Sequence, residues 1–164
     1  MRTAPASQAG PEPTARSPFG PVFGTRTFGC PYIVRPSAYA LVLRDRLLAV
    51  ARTPKAHFLP GGGIEHDETP EAAIVREGIE ECGLLLRPTA WLGNAVQISY
   101  SETETVCFEK RCTFLAAEIA GTALQTEADH TLLWLTPPDA VDALSHPSHG
   151  WAVMRFLERR SAAE

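Results

Sequence analysis

The sequence predicts an α/β fold, with a mixed central sheet and helices on its faces. Three observations carry this. Two short apolar runs lie close together at residues 38–51, a helix with clear start and stop signals spans 70–82, and strand-like runs alternate with helix-start signatures from 91 onward.

Taken in order, residues 1–24 are rich in Pro, Ala, Gly and Ser and show no apolar period. They read as a flexible tail that buries too little to offset its ordering entropy, leaving one domain over 25–164. No apolar h-region follows Arg2, so the tail is not expected to be a signal peptide. Ala38-Tyr39-Ala40-Leu41-Val42-Leu43 and Leu47-Leu48-Ala49-Val50-Ala51 flank Arg44-Asp45-Arg46 and predict a hairpin of buried strands. Phe58-Leu59-Pro60 then runs into Gly61-Gly62-Gly63, three residues free to take backbone angles closed to others.

The helix over 70–82 has Thr69 as N-cap, Pro70 at its first position, Glu71 in its first turn and Gly83 as its stop. Val75, Ile79 and Cys82 form its expected apolar face. Strands are expected at 91–99, 105–119 and 132–135. Thr136-Pro137-Pro138-Asp139 starts a helix leading into 140–144, and a last helix over about 149–160 brings Val153, Met154 and Leu157 to the core.

Composition narrows the function. Hydrophobic residues make up 45% of the chain and charged residues 21%, as in an ordinary globular domain. The net charge is -4 without a basic stripe, which argues against a nucleic-acid polymer as partner. No stretch of about 20 apolar residues is present, so no helical membrane span is expected. Cys30, Cys82, Cys107 and Cys112 form no CxxC pair. They are expected to be reduced, buried side chains of a cytoplasmic protein rather than zinc ligands.

The chemistry concentrates in GGGIEHDETPEAAIVREGIEECGL, residues 61–84. Glu77, Glu80 and Glu81 are spaced i, i+3, i+4, which gathers three carboxylates on one side of the helix. Such a cluster is tolerable when solvated or when a cation joins it, and Mg²⁺ is a hard ion that takes oxygen ligands. Taken alone, Arg76-Glu77-Gly78-Ile79-Glu80-Glu81 reads as a wet, charge-rich helix face. Its coupling to Gly62, Glu68 and Gly83 at fixed spacing argues otherwise, since a solvated helix needs neither a glycine loop before it nor a glutamate within that loop.

This segment resembles the box of the Nudix hydrolases (MutT-like proteins): G, five residues, E, seven residues, then R-E-U-x-E-E-x-G-U, where U is aliphatic. Gly62, Glu68, Arg76, Glu77, Glu80, Glu81 and Gly83 occupy the seven fixed positions and Leu84 the last aliphatic one, so the box spans 62–84. Seven such matches arise by chance in roughly one sequence in a million, from ordinary residue usage. Gly78 departs from the pattern, standing where an aliphatic residue is usual. It is expected to weaken the helix by about 1 kcal/mol relative to Ala and to loosen its packing.

The resemblance implies a Nudix-type α/β/α sandwich and a Mg²⁺-dependent hydrolase, with Mn²⁺ as a substitute, that cleaves a phosphoanhydride bond in a nucleoside diphosphate linked to a group X. It implies Glu77, Glu80 and Glu81 as metal ligands, joined by a backbone carbonyl near Gly62. It implies Arg76 as the group that holds the glutamates, Glu68 with Gly61 and Gly63 as the supporting loop, and Glu80 as a catalytic carboxylate. A further acid from a downstream loop is implied as ligand or general base. Glu127 lies in the matching region, with Asp129 and Glu118 as competitors and an ordinary exposed loop glutamate as the other reading.

Substrate signals are thinner. Tyr100 falls where some relatives carry a substrate-binding tyrosine, although one tyrosine on a strand is more often packing. Lys110, Arg111, Arg44 and Arg52 are candidate phosphate contacts. The expected partner is a small nucleotide, and the expected assembly a monomer or homodimer. Two rivals to the hydrolase are a catalytically silent Nudix-fold module that binds a nucleotide or metabolite, and a prenyl-diphosphate isomerase of the same fold. The silent module would show degraded box carboxylates, and all are present. The isomerase would bring a catalytic Cys among metal-binding His, a pattern absent around Cys107 and Cys112.

Overall fold

A computed structural model of the chain describes residues 10–164. Its strands are β1 (Ala15–Ser17), β2 (Gly20–Phe23), β3 (Tyr32–Arg44), β4 (Leu47–Arg52), β5 (His57–Phe58), β6 (Gly61–Gly63), β7 (Leu84–Ser101), β8 (Val106–Thr122) and β9 (Thr131–Leu135). Its helices are α1 (Pro70–Cys82), α2 (Pro137–Ala143) and α3 (Pro147–Ala163). The strands join in the order β1-β2-β7-β8-β3-β4-β5, with β6 on β3 and β9 on β4. β3–β8 and β2–β7 are parallel and the other pairs antiparallel, so the sheet is mixed as expected.

Strand alternation splits the interior into two layers. On β3 and β4, Tyr39, Leu41, Leu48 and Val50 join Val153 and Phe156 of α3 in one cluster. Ala38, Ala40, Val42, Ala49 and Ala51 join Ala73, Ile74 and Cys82 of α1 in the other. A sheet with helices packed on both faces is the α/β/α sandwich. The α1 face of the sheet is dominated by alanine, and small side chains let the helix backbone approach closely.

Four local expectations need correction. The 15–23 part of the proline-rich tail is ordered: β1 pairs with β2, Val22 and Phe23 pair with Val96 and Gln97, and Phe23 is fully buried with its ring 6.0 Å from Trp151. The apolar residues Val22 and Phe23 suffice to annex a two-residue ladder, a signal too short to show as a period. The expectation for residues 1–9 lies outside the described residues. On α1, Ala73, Ile74 and Cys82 are buried while Val75 and Ile79 are only half-buried, so the helix is rotated from the expected face. That rotation buries Glu77 and Glu81 as well.

Cys82 and Cys112 are free and buried, but Cys30 and Cys107 form a disulfide across 77 residues of sequence. Tyr32 of β3 lies beside Cys107 of β8, which brings the preceding segment to that cysteine. Spacing rules see only local pairs and miss a contact made by strand register. Among the described residues, no helix is long and apolar enough to cross a membrane.

Gly78 does not leave a void. A Cβ at that position would stand 2.8 Å from Leu86 Cδ1 and 3.1 Å from the Leu84 carbonyl oxygen. Leu86, buried on β7, fills the space that an aliphatic residue at 78 would take. Restoring the usual aliphatic residue by Gly78→Ile should therefore lower stability by about 1–3 kcal/mol through overpacking. A urea-melt double-mutant cycle with Leu86→Ala should show a favourable coupling; additive losses would contradict the exchange of volume between the two positions.

Near the start of α3, His149 is fully buried, with its ring 4.2 Å from that of Tyr39 and 5.3 Å from that of His146. Its Nδ1 accepts the Leu59 N–H at 3.1 Å. Burial holds both histidines neutral: it carries His149 well below the ordinary range and lowers His146 to about 3. Because the unfolded chain takes up these protons near pH 6.5 and the folded one does not, the folded state loses stability as pH falls below about 6.5. Each histidine should contribute up to about 1.4 kcal/mol per pH unit over that window. Urea midpoints between pH 7.5 and 5 should fall, and fall less steeply in His149→Gln; an unchanged slope would rule out His149 as a source.

Candidate active site

α1 is built to present carboxylates. Thr69 caps it by accepting the Ala72 N–H at 3.1 Å, and Gly83 ends it at φ 63°, ψ 25°, donating its N–H back to the Ile79 carbonyl at 3.0 Å. The glycine strand β6 runs beside it. Gly61, at φ 147°, leaves no room for a side chain, since a Cβ would come 2.1 Å from the Ala38 carbonyl oxygen. A Cβ on Gly62 would come 2.5 Å from Glu77 Oε1. The loop therefore lets a carboxylate lie directly on its backbone.

Arg76 ties the assembly together. Its Nε and Nη2 donate to the two oxygens of Glu68 at 2.8 and 2.9 Å, a bidentate pair. Nη1 donates to Glu77 at 2.9 Å and Glu80 at 3.1 Å, and Nη2 also to the Gly63 carbonyl at 3.0 Å. One guanidinium thus links the loop, two helix carboxylates and the β6 backbone. The hydrogen bonds from Arg76 hold the Glu68 carboxyl below the usual range, and Glu68 also accepts the Glu65 N–H at 2.9 Å.

Burial raises Glu77, partly offset by Arg76. Glu81 is pushed up to about 9, first by burial and then by the neighbouring carboxylates Glu77, Glu127 and Glu80. Its one hydrogen bond from backbone is the Gly61 N–H at 3.2 Å. A carboxyl so placed carries its charge comfortably only beside a cation.

The loop between β8 and β9 brings in Glu127. Its N–H donates to the Glu80 carbonyl at 2.8 Å, and Ala123 N–H donates to the Gly83 carbonyl at 2.9 Å. The loop therefore docks on carbonyls at and just beyond the end of α1 that have no partner within the helix. Gln125 steadies it by donating to the carbonyls of Glu127 and His130, each at 2.7 Å. Carboxylate oxygens of Glu77, Glu80 and Glu127 fall within 4.8 Å of one another, as do ligand atoms of Glu81, Glu127 and His130.

Of the residues expected from the sequence, Gly61, Gly62, Gly63, Glu68, Arg76, Glu77, Glu80, Glu81 and Glu127 come together. The competing acids do not. Glu118 pairs with Arg87 on the surface, and Asp129 faces His130 from an exposed position. Tyr100 stands apart, exposed on β7 beside a second cavity. His130 was missed. Its Nε2 lies 3.4 Å from Glu81 and its Nδ1 3.1 Å from Glu127. Its place three residues after Glu127 is the only trace in the sequence, and without the loop's docking it reads as surface.

Comparison with known proteins identifies the fold and the family. A family model described as "NUDIX domain" matches residues 33–156. A "MutT-like protein" of Streptomyces ambofaciens is 31% identical over 115 residues, which is 66% of this chain and 68% of that protein. A NUDIX hydrolase from Nitrosomonas europaea superposes with a TM-score of 0.63 at 12% identity, covering 77% of this chain and 90% of its own. A MutT NUDIX hydrolase from Burkholderia pseudomallei does so with a TM-score of 0.56 at 24% identity, covering 75% and 98%. With the family model spanning most of the chain and over a box whose charged positions are all filled, this protein belongs to the NUDIX family.

Proposed function

We propose that the protein is a Mg²⁺-dependent pyrophosphohydrolase that cleaves the phosphoanhydride bond of a nucleoside diphosphate linked to a group X. The observation that carries this reading is the convergence of Glu77, Glu80 and Glu127 within 4.8 Å around an Arg76-clamped loop. Oxygen-only donors at that spacing suit a hard divalent ion. Glu77, Glu80 and Glu127 would hold the metal, with Glu81 behind them. When bound, Mg²⁺ would neutralise charge on the diphosphate.

The chain's own residues do the rest. Arg76 fixes the carboxylates before substrate arrives, so little reorganisation is left for the reaction. Glu80 and Glu127 are the more exposed members, with side chains 32% and 40% accessible. An oxygen of one of them accepts a proton as a water forms its new bond to phosphorus. The bond from that phosphorus to the bridging oxygen breaks, and the two products leave as phosphates. The substrate is a small nucleotide rather than a polymer, and Mn²⁺ would substitute for Mg²⁺. A cytoplasmic setting fits this chemistry, although the Cys30–Cys107 disulfide favours an oxidising one.

A product assay in ¹⁸O-water across NTPs, NDP-sugars, ADP-ribose and dinucleoside polyphosphates tests the reading. A diphosphate-linked substrate should yield two phosphomonoester products, one of them carrying the label, while tight binding without turnover in Mg²⁺ would favour a silent binding module. Glu80→Gln and Glu127→Gln should each lower kcat by about 10²–10⁴-fold, the usual scale for losing a positioned acid or base. Unchanged turnover in both would sink the carboxylate mechanism.

Arg76→Lys offers a separate check. A lysine cannot span the Glu68 pair, Glu77, Glu80 and Gly63 at once. Metal affinity, read from the Mg²⁺ dependence of the rate, should weaken by about 10–100-fold. An unaltered Mg²⁺ half-saturation would show that Arg76 does not position the ligands.

A further inference from the structure

Two cavities meet beside the carboxylates. The first, about 160 Å³, is lined by Gly61, Gly62, Gly63, Glu81 and His130. The second, about 440 Å³, is lined by Lys55, Tyr100, Glu102, Glu104, Phe108 and His146. Arg35, Phe58 and Lys110 line both, so the two adjoin across these three side chains. Larger cavities of about 490 and 600 Å³ near the N-terminal strands share no residue with the carboxylate cavity. The smaller chamber suits a phosphate group, and the second falls within the range of small-molecule sites.

Lys110 stands at the junction without a direct ion pair among the described residues. No carboxylate oxygen lies within 4.0 Å of it among the described residues. Its polar neighbour is His146, with Nζ 3.4 Å from Nε2, and burial keeps that imidazole neutral. Burial lowers the Lys110 pKa and the neighbouring Arg35 charge adds to this, with Glu104 only partly offsetting them. Arg35 flanks it, its guanidinium 5.4 Å from the centre of the Phe108 ring, with only Glu104 nearby at 4.0 Å. Gly63 makes room for Arg35, since a Cβ there would stand 2.9 Å from its Nε.

Lys55 lines the outer part of the second cavity, away from the carboxylate chamber, and two other candidate cations are engaged elsewhere. Arg111 donates to Glu109 at 2.9 Å and lies over Phe19, and Arg44 lies 4.0 Å over Trp134. Beyond Lys110 and Arg35, the cavity offers the exposed ring of Tyr100 as a stacking surface. Glu102 and Glu104 offer acceptors for hydroxyl or amino groups.

We propose that Lys110 and Arg35 seat the phosphate adjoining the nucleoside, and that the cavity walled by Tyr100 and Phe108 receives the nucleoside itself. Which phosphate is meant rests on the hydrolase reading; occupancy by a nucleoside monophosphate does not. X then lies on the far side of the carboxylates, outside this cavity.

Calorimetric titration of the metal-free protein in EDTA with AMP, GMP, CMP and UMP, and with adenosine and inorganic phosphate, tests the seat. At least one monophosphate should bind, and should bind about tenfold or more tightly than either part alone, as expected for a charge-assisted contact. Lys110→Met and, independently, Arg35→Met should each weaken it about tenfold, while Arg111→Met leaves it unchanged. Tyr100→Ala should weaken the monophosphate and spare inorganic phosphate. No monophosphate binding, or binding unmoved in both Lys110→Met and Arg35→Met, would overturn the proposal. Binding that behaves as stated in a protein that hydrolyses nothing would leave the seat standing and remove the hydrolase reading. Hydrolysis with an unchanged KM in folded Lys110→Met would do the reverse.

Discussion

Five carboxylates converge where α1, β6 and the loop before β9 meet, and in a half-buried setting their mutual repulsion would push them apart or protonate them. Arg76 opposes this at short range. It takes Glu68 in its fork, reaches Glu77 and Glu80 with its remaining edge, and fastens to the Gly63 carbonyl. A guanidinium keeps its charge at any physiological pH and offers five donors in one plane, so a single side chain can set several acceptors at fixed angles. Glu81, beyond its reach, is the member whose carboxyl rises to about 9.

The packing beneath serves the same end. α1 lies on a sheet face made largely of alanines, and Gly78 allows Leu86 to enter where a helix side chain would otherwise stand. Close approach of helix and sheet puts Glu77 on the backbone of Gly62, so the carboxylate-bearing helix lies directly against the glycine strand. The loop carrying Glu127 then docks on carbonyls at the end of that helix, which sets the third wall of the site.

Much of this could be read before any coordinates. The caps of α1, the hairpin of β3 and β4 and the box spacing are local patterns, and local patterns survive in a sequence. What could not be read depends on register and docking. The expected face of α1 through Val75 and Ile79 was wrong because Ala73 and Ile74 pack on the sheet instead, and this orientation carries Glu77 and Glu81 inward. β1 and β2 carry too few apolar residues to announce themselves. His130 and Lys110 gain their meaning from neighbours 49 and 36 positions away, Glu81 and His146. Gly78 was taken as a weak point because its replacement partner, Leu86, lies on a different element.

The Cys30–Cys107 disulfide joins the segment before β3 to the start of β8, so β3 through β7, with all of the glycine strand and α1, lie within one covalent ring. A peptide bond cut anywhere inside that ring, in the exposed turn at Asp45 or the loop at His66, releases no fragment while the bond is intact. The carboxylate-bearing unit would stay attached to both ends of the chain after a single nick, and would part from one of them only on reduction. The ring turns the most exposed loops around the box into places where backbone damage need not mean loss of the part.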